Sequence, residues 1–522
     1  MSFSAIRLVH EGLSDATKRF ADKDAVVVEG VAHSYAELHD GAARLAAALR
    51  ARGLRRGDRV AIYMDNTWPC VLSIYAVLMA GGVFLVVNPQ TKSDKLEFIL
   101  DDSDAEILLT DSHLVPSFGP VLATARKLKH VICSGKWPLA VPVTSLSLER
   151  FDEAMQNAAS AGSVALIPLD LAALIYTSGS TGNPKGVMHT HQSMLFAMES
   201  ISEYLRLSDS HRILCVLPLA FDYGLYQLLM AIRMGATLVL ERSFTYPAQI
   251  FNRMREQNVT VFPGVPTIFA MLLSAHAREP LSFPSVQRVT NTAAALPAAF
   301  QAQLREIFPN ALIYRMYGLT ECKRVCYLEP ELADVKPDSV GKAIPGTEIY
   351  LLSPEGTPVA RGEPGILYIR GPHVMLGYWK QPALSAHMLK PGTLPGERVL
   401  CSQDWFRMDA DGFLYFVGRS DDIIKTRGEK VSPVEVENVL HGMPGIREAA
   451  VIGVPDVLLG QVIRAYVALE PGTTLSDKEI IKYCLARLEN FMVPKEVMFL
   501  AELPKTNTGK ISKKSLIEKV GA

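Results

Sequence analysis

The segment Tyr176-Thr-Ser-Gly-Ser-Thr-Gly-Asn-Pro-Lys-Gly186 concentrates groups suited to holding an anion. Gly179, Gly182 and Gly186 let the backbone approach a ligand closely, and consecutive N–H groups in such a loop can form an anion-binding nest. Thr177, Ser178, Ser180 and Thr181 add hydroxyl donors, and Lys185 adds a point charge. Lys185 is followed by glycine rather than Ser or Thr, so the loop is not a Walker A motif. On composition alone, a flexible Gly/Ser surface loop competes with this reading. Tyr317-Gly-Leu-Thr-Glu321 offers one carboxylate, and a hard cation bridging phosphates takes carboxylate oxygen from few protein ligands. Alone, that segment reads equally as a turn. The pair Asp421-Asp422 alone reads as a solvated charged turn, and Lys510 alone as a surface lysine.

Elements to position these segments are visible. Ser34 and Glu37 form a capping box, and Leu38, Ala42, Leu45 and Leu49 follow at helical spacing to a stop at Gly53. Arg59 to Met64 suits a buried strand, and Leu171 to Tyr176 a strand leading into the glycine-rich loop. Leu96 to Leu100 into Ala105 to Thr110, and Phe251 to Gln257 into Val259 to Phe262, read as helix–strand units. This alternation predicts α/β layers with parallel strands. After about Ser339 short strands and turns take over (Glu348 to Leu352, Gly365 to Arg370), predicting a small β-rich subdomain over about 340–418. A boundary near Gly418 to Lys425 precedes a compact α+β unit. There Val434 to Leu440 and Asp477 to Leu488 read as helices, and Ala449 to Val454 and Val462 to Leu469 as strands.

With 522 residues the chain can bury a large core, and 49% hydrophobic with 20% charged residues is ordinary for a globular protein. A net charge of −1 gives no electrostatic reason to expect nucleic acid or an anionic membrane as partner. Seven irregularly spaced cysteines, of which Cys322 and Cys326 are the one close pair, complete no zinc pattern and read as reduced, mostly buried thiols. The apolar stretch Val71 to Val87 is too short to span a bilayer and is broken by Gly81 and Gly82. No apolar signal region precedes Arg19, so a cytoplasmic location is expected.

In order along nearly the whole chain, these motifs resemble the adenylate-forming (AMP-binding) superfamily of acyl-CoA synthetases, nonribosomal-peptide adenylation domains and luciferases. The resemblance implies a large N-terminal ATP- and acyl-binding domain over 1–419 and a small mobile C-terminal domain over 420–522. It assigns Thr177 to Gly182 and Lys185 to the ATP phosphates, and Tyr317 and Gly318 to the adenine side. Thr320 falls to the phosphate, and Glu321 to Mg²⁺. Asp404 matches the acid that binds the ribose hydroxyls, and Arg419 the arginine that also reaches the ribose. The usual Thr-Gly before that acid is replaced here by Ser402-Gln403, so the loop backbone is expected to differ. Asp409 is the competing candidate, and the spacing to Asp411-Gly412 favours Asp404. Asp421 matches the interdomain hinge, Gly428 the glycine lining the pantetheine tunnel, and Lys510 the catalytic lysine of adenylation.

The same resemblance makes Leu217-Pro-Leu-Ala-Phe-Asp-Tyr-Gly224 one wall of the acyl pocket, with Phe221, Asp222, Tyr226, Pro263, Thr290, Thr292, Met316 and Arg324 as candidate lining. Asp222 pairs with a substrate ammonium in amino-acid-activating relatives, or it caps a helix beginning near Leu225. Arg324 is open to pairing with Asp222, with a polar substrate, or with neither. Met316 and Tyr226 would narrow the pocket against long chains. The implied activity is AMP-forming ligation of an aryl or short/medium-chain acid to coenzyme A, using ATP and Mg²⁺. One alternative is a stand-alone enzyme loading an amino acid onto a separate carrier protein's phosphopantetheine. The other is a non-catalytic nucleotide-binding protein, which predicts damage at Lys185, Glu321 or Lys510, all of them present. A homodimer is allowed, and no membrane span is expected.

Overall fold

The computed structural model describes residues 6–518 except 137–145, 157–163, 179–183, 293–297, 421, 423, 427–428, 457–459, 489 and 507–509. Two large sheets face each other across a layer of helices. One carries the parallel strands Arg212–Cys215, Val261–Gly264, Arg288–Asn291 and Leu312–Tyr317 in adjacent positions. The other is built around the parallel strands Val83–Val87, Arg59–Tyr63 and Ile107–Asp111, with Leu171–Ser178 beside Val83–Val87. Between the sheets lie the helices Tyr35–Ala51, Trp68–Met79, His191–Tyr204 and Asp222–Met234. Leu45, Val71, Met194 and Leu228 join Ile62 and Phe84 of one sheet to Ile213 and Leu238 of the other in a single core. A second core, with Ala61, Leu85, Leu96 and Leu108, covers the far face of the second sheet. Burial on both faces explains why Val83–Val87 is continuously apolar rather than alternating.

The expected Ser34–Glu37 capping box is present at the start of Tyr35–Ala51. The apolar stretch near Val71 to Val87 divides into the helix Trp68–Met79 and the strand Val83–Val87, turned at Gly81 with φ +83°. Among the described residues no helix is long and apolar enough to cross a membrane. All seven cysteines are buried free thiols.

A third, antiparallel sheet holds Glu348–Leu352, Gly365–Arg370, Leu389–Pro391, Arg398–Met408 and Leu414–Arg419. Its core includes Cys322, Val325 and Cys326, so it packs directly against the segment that follows Glu321. A fourth sheet, with Ile424–Thr426, Ile446–Asp456, Gly460–Leu469 and Glu496–Phe499, packs on the helices Pro433–His441 and Asp477–Leu485 around its own core. The fold class is α/β, with a large multi-layer N-terminal part and a smaller α+β C-terminal part.

Candidate active site

The strands Leu171–Ser178 and Pro184–Thr190 pair antiparallel, with Thr177 opposite Lys185 and Tyr176 opposite Gly186. A Cβ at Gly186 would lie 3.1 Å from the Tyr176 ring, a contact tight enough that the ring would have to shift. Thr177 and Lys185 are thereby held side by side at the mouth of the glycine-rich loop. Gly179, Ser180, Thr181 and Gly182 lie outside the described residues, as does the side chain of Ser178. The Thr177 hydroxyl is buried without a hydrogen-bond partner among the described residues.

Lys185 meets the second motif through a residue that neither motif contains. Its ammonium donates to the Tyr378 hydroxyl at 3.1 Å, and that hydroxyl donates to Glu321 Oε1 at 2.6 Å. Lys185 Nζ and Glu321 Oε1 are 3.9 Å apart. Burial holds the Lys185 ammonium below its ordinary pKa, opposed by the attraction of Glu321. Burial, and then Glu321, push the Tyr378 phenol upward, so it stays a proton donor. Tyr378 reaches this point because the short strand Gly377–Tyr378 extends the glycine-loop sheet.

The Tyr317–Glu321 segment turns tightly off the end of Leu312–Tyr317. A Cβ on Gly318 would sit 2.1 Å from the Lys323 carbonyl oxygen, so only glycine fits there. The fully buried His189 donates Nε2–H to the Thr320 carbonyl at 2.9 Å, and Glu321 O accepts from the Met375 N–H at 2.8 Å. Burial, reinforced by Lys323, holds His189 well below its ordinary pKa and therefore neutral. Among the described residues no group of three His, Cys, Asp or Glu side chains is placed to cage a metal ion. One carboxylate beside an anion-binding loop does fit a magnesium ion carried in on phosphates, which keeps most of its ligands from water and phosphate.

Asp404 sits in Arg398–Met408 where the pairing with Gly365–Arg370 slips, its partner shifting from Trp405 to Cys401 between Ile366 and Tyr368. The bulge re-aims the carboxylate. The Tyr317 hydroxyl donates to Asp404 Oδ2, and Arg419 Nε is 3.6 Å from Oδ1. The Ser402 hydroxyl donates to the Leu367 carbonyl at 2.8 Å and accepts from the Asp404 N–H at 3.1 Å. Asp409 is engaged elsewhere, 2.7 Å from Lys336 Nζ and bonded to the Phe413 N–H.

Gln403, which stands where the family has glycine, adopts φ +63°. A left-handed conformation costs a non-glycine residue about 1 kcal/mol. Gln403→Gly is therefore expected to stabilise the N-terminal part by about 1 kcal/mol, read as a higher urea midpoint. The exposed contact from Gln403 to His387 is the small loss against it. An unchanged or lowered midpoint would contradict this assignment of strain.

Lys510 is held by backbone bonds to Thr506, with 507–509 between them outside the described residues. Thr506 N–H donates to the Lys510 carbonyl at 2.7 Å, Lys510 N–H donates to Thr506 Oγ1 at 3.2 Å, and Lys505 bridges Ile511. The residue is exposed as a whole, while desolvation at its ammonium lowers the pKa, with Asp222 and Asp404 pulling it back up and Arg419 pushing it down. The lysine of one unit thus faces the acids of the other. Asp421 and Gly428 lie outside the described residues.

These residues draw one cleft together from elements far apart in the chain. The AMP-binding enzyme family pattern matches residues 13–379, and the AMP-binding enzyme C-terminal domain pattern matches 435–510. The chain belongs to the AMP-binding enzyme family. Among relatives of this AMP-binding enzyme is a long-chain-fatty-acid–CoA ligase of Bacillus subtilis (strain 168), 31% identical over 97% of this chain and 93% of the relative. Another is an oxalate–CoA ligase of Arabidopsis thaliana, 31% identical over 96% of each. The fold matches that of the anthranilate CoA ligase AuaEII bound to anthranoyl-AMP with a TM-score of 0.90 and 26% identity, covering 99% of this chain and 98% of that one.

Beside Asp222, the wall of this AMP-binding enzyme's cleft differs from the helix-cap reading of that residue. The helix begins at Asp222, with Phe221 as the N-cap residue and no side-chain cap bond, so Asp222 caps nothing. Its carboxylate is 4.0 Å from Lys323 Nζ instead. Arg324 does not pair with Asp222: its Nη1 donates to Thr292 Oγ1 at 2.6 Å and its guanidinium lies over the Tyr223 ring. Tyr223 in turn holds Thr290, 2.6 Å between hydroxyl oxygens, and packs edge-on against Phe221. Tyr226 and Met316 are buried, with the Met316 sulfur accepting from the Tyr204 hydroxyl at 2.9 Å. Pro263 lies in the strand Val261–Gly264. The residues missed from the sequence are Tyr378, His189 and Lys323, while Tyr223 falls within the segment read as a pocket wall without being singled out. No local pattern marks the first three, because each acts across elements.

Proposed function

We propose that this enzyme is an AMP-forming acid–CoA ligase acting on an aryl or short/medium-chain carboxylic acid in the cytoplasm. The observation that carries the reading is the convergence of Lys185, Glu321 and Asp404 with Lys510, which arrives from the C-terminal part. ATP phosphates bind against Thr177, Lys185 and the backbone between them. The ribose hydroxyls donate to Asp404, with Arg419 alongside. Glu321 is the residue that would hold Mg²⁺, which, when bound, neutralises phosphate charge. The substrate carboxylate attacks the α-phosphorus, the bond to pyrophosphate breaks, and Lys510 offsets the charge gathering on the phosphate oxygens. Thr320 donates to the same phosphate.

The second half-reaction replaces AMP by a thiol. The 420–522 unit turns about Asp421, withdraws Lys510 and brings Gly428 to line the path of the pantetheine arm. One cleft then serves two different transition states. Burial of Tyr226 and Met316 limits the acyl group's length. ATP–pyrophosphate exchange across fatty, aryl and amino acids, followed by CoA addition, tests the assignment. Exchange with an aryl or shorter fatty acid and formation of its CoA thioester is the expected result. Exchange with amino acids alone, without a CoA product, would overturn it in favour of carrier-protein loading.

A further inference from the structure

We propose that Lys323 and Arg324 select an acid bearing a second carboxylate, which they bind at the closed end of the acyl pocket. This names the substrate class of the ligase proposed above and rests on that reading.

The case begins with the backbone. Lys323 adopts φ +66°, a conformation a lysine enters only at a cost, and it does so one residue beyond the end of the Tyr317–Cys322 turn. Its side chain is only 3% exposed. Its ammonium has no hydrogen-bond partner among the described residues. Its nearest anion is Asp222 at 4.0 Å, beyond hydrogen-bond distance, and its nearest surface is the Tyr226 ring at 5.1 Å. Arg324 is also buried, and its Nε–H is likewise without a partner, as is the hydroxyl of Tyr226.

Three buried donors of neighbouring side chains therefore lack acceptors, Lys323 lying against the Tyr226 ring and Arg324 within electrostatic reach of both. Buried donors without acceptors are costly, and native structures rarely leave three together without a use. A carboxylate is the complementary group, because it accepts only and offers about four lone-pair sites. Asp222 and Glu321 both act on the Lys323 ammonium, yet among the described residues neither accepts a hydrogen bond from it. An ammonium-bearing substrate fits badly, since Asp222 already stands between Lys323 and Lys510 and a further cation would meet the Lys323 charge.

The test uses the full-length protein with Mg²⁺, ATP and CoA. Its substrates are aliphatic and aromatic diacids, each paired with the monoacid that lacks the second carboxylate, and amino acids. Thioester formation gives kcat/KM for each. At least one diacid is expected to exceed its monoacid partner by about 10-fold or more, about the value of one charged hydrogen bond. In Lys323→Met that diacid-to-monoacid ratio is expected to fall about 10-fold, to near one. Lys323→Gln, which keeps donors but not charge, is expected to fall between the two and serves if the methionine variant does not fold. Thioester from monoacids with no gain from any second carboxylate would overturn this inference and leave the ligase reading standing. A preference for amino acids that rises in Lys323→Met would also overturn it. No thioester from any acid would overturn the ligase reading together with it.

Discussion

Lys510→Ala is expected to lose acyl-adenylate formation by about 100- to 1,000-fold, the range for removing one preorganised charge-stabilising group. The same variant should convert supplied acyl-AMP and CoA to thioester at close to the wild-type rate. The split follows from where the lysine sits. It belongs to the small C-terminal part, yet its ammonium lies in the field of Asp222, Asp404 and Arg419 of the N-terminal part. A side chain on a separate unit can serve one step and be absent for the next. Pyrophosphate exchange reads the first half-reaction and single-turnover thioester formation the second. Equal loss of both would mean that Lys510 holds the two parts together rather than offsetting charge.

Glu321→Gln is the second large effect. The glutamine oxygen can still accept from Tyr378, so the hydrogen bond at 2.6 Å is retained in kind while the charge is lost. Lys185 then keeps the hydroxyl but not the carboxylate 3.9 Å away. We expect kcat/KM for ATP to fall about 100-fold or more, with the Mg²⁺ concentration for half-maximal exchange rising in parallel. Tyr378→Phe should cost less, about 10-fold, with the Mg²⁺ requirement near that of wild type. An unchanged Mg²⁺ requirement in Glu321→Gln would remove the carboxylate from metal binding and leave it as the counter-ion of Lys185.

What the sequence made legible follows from how local each feature is. The strand leading to Thr177 was readable because an apolar run and a glycine-rich turn are adjacent in the chain, while its pairing with Pro184–Thr190 was not read. Ser34 and Glu37 were readable because a capping box is complete within four residues. The start of the helix at Asp222 was placed near Leu225 because the periodic apolar pattern becomes visible there. The structure starts three residues earlier, and Gly224 lies in the first turn because a Cβ would meet the Pro218 carbonyl oxygen at 2.4 Å. That collision involves backbone the pattern does not reveal. Tyr378 lies 193 residues from the lysine it contacts, and His189 lies 131 from Thr320. Nothing short of the assembled sheets brings such partners together. Lys323 was passed over because no motif marks it, and its burial with φ +66° appears only in the folded chain.

The placement of Asp222 between a fixed lysine and one carried on another unit has a consequence for timing. Any displacement of that unit strips a positive charge from the cleft, and the local potential becomes more negative at that moment. Polyanions such as pyrophosphate are then held less firmly, while a neutral thioester is unaffected. On the rotation proposed above, the position of the small unit would act as a ratchet on ionic leaving groups, with the order of release following their charge.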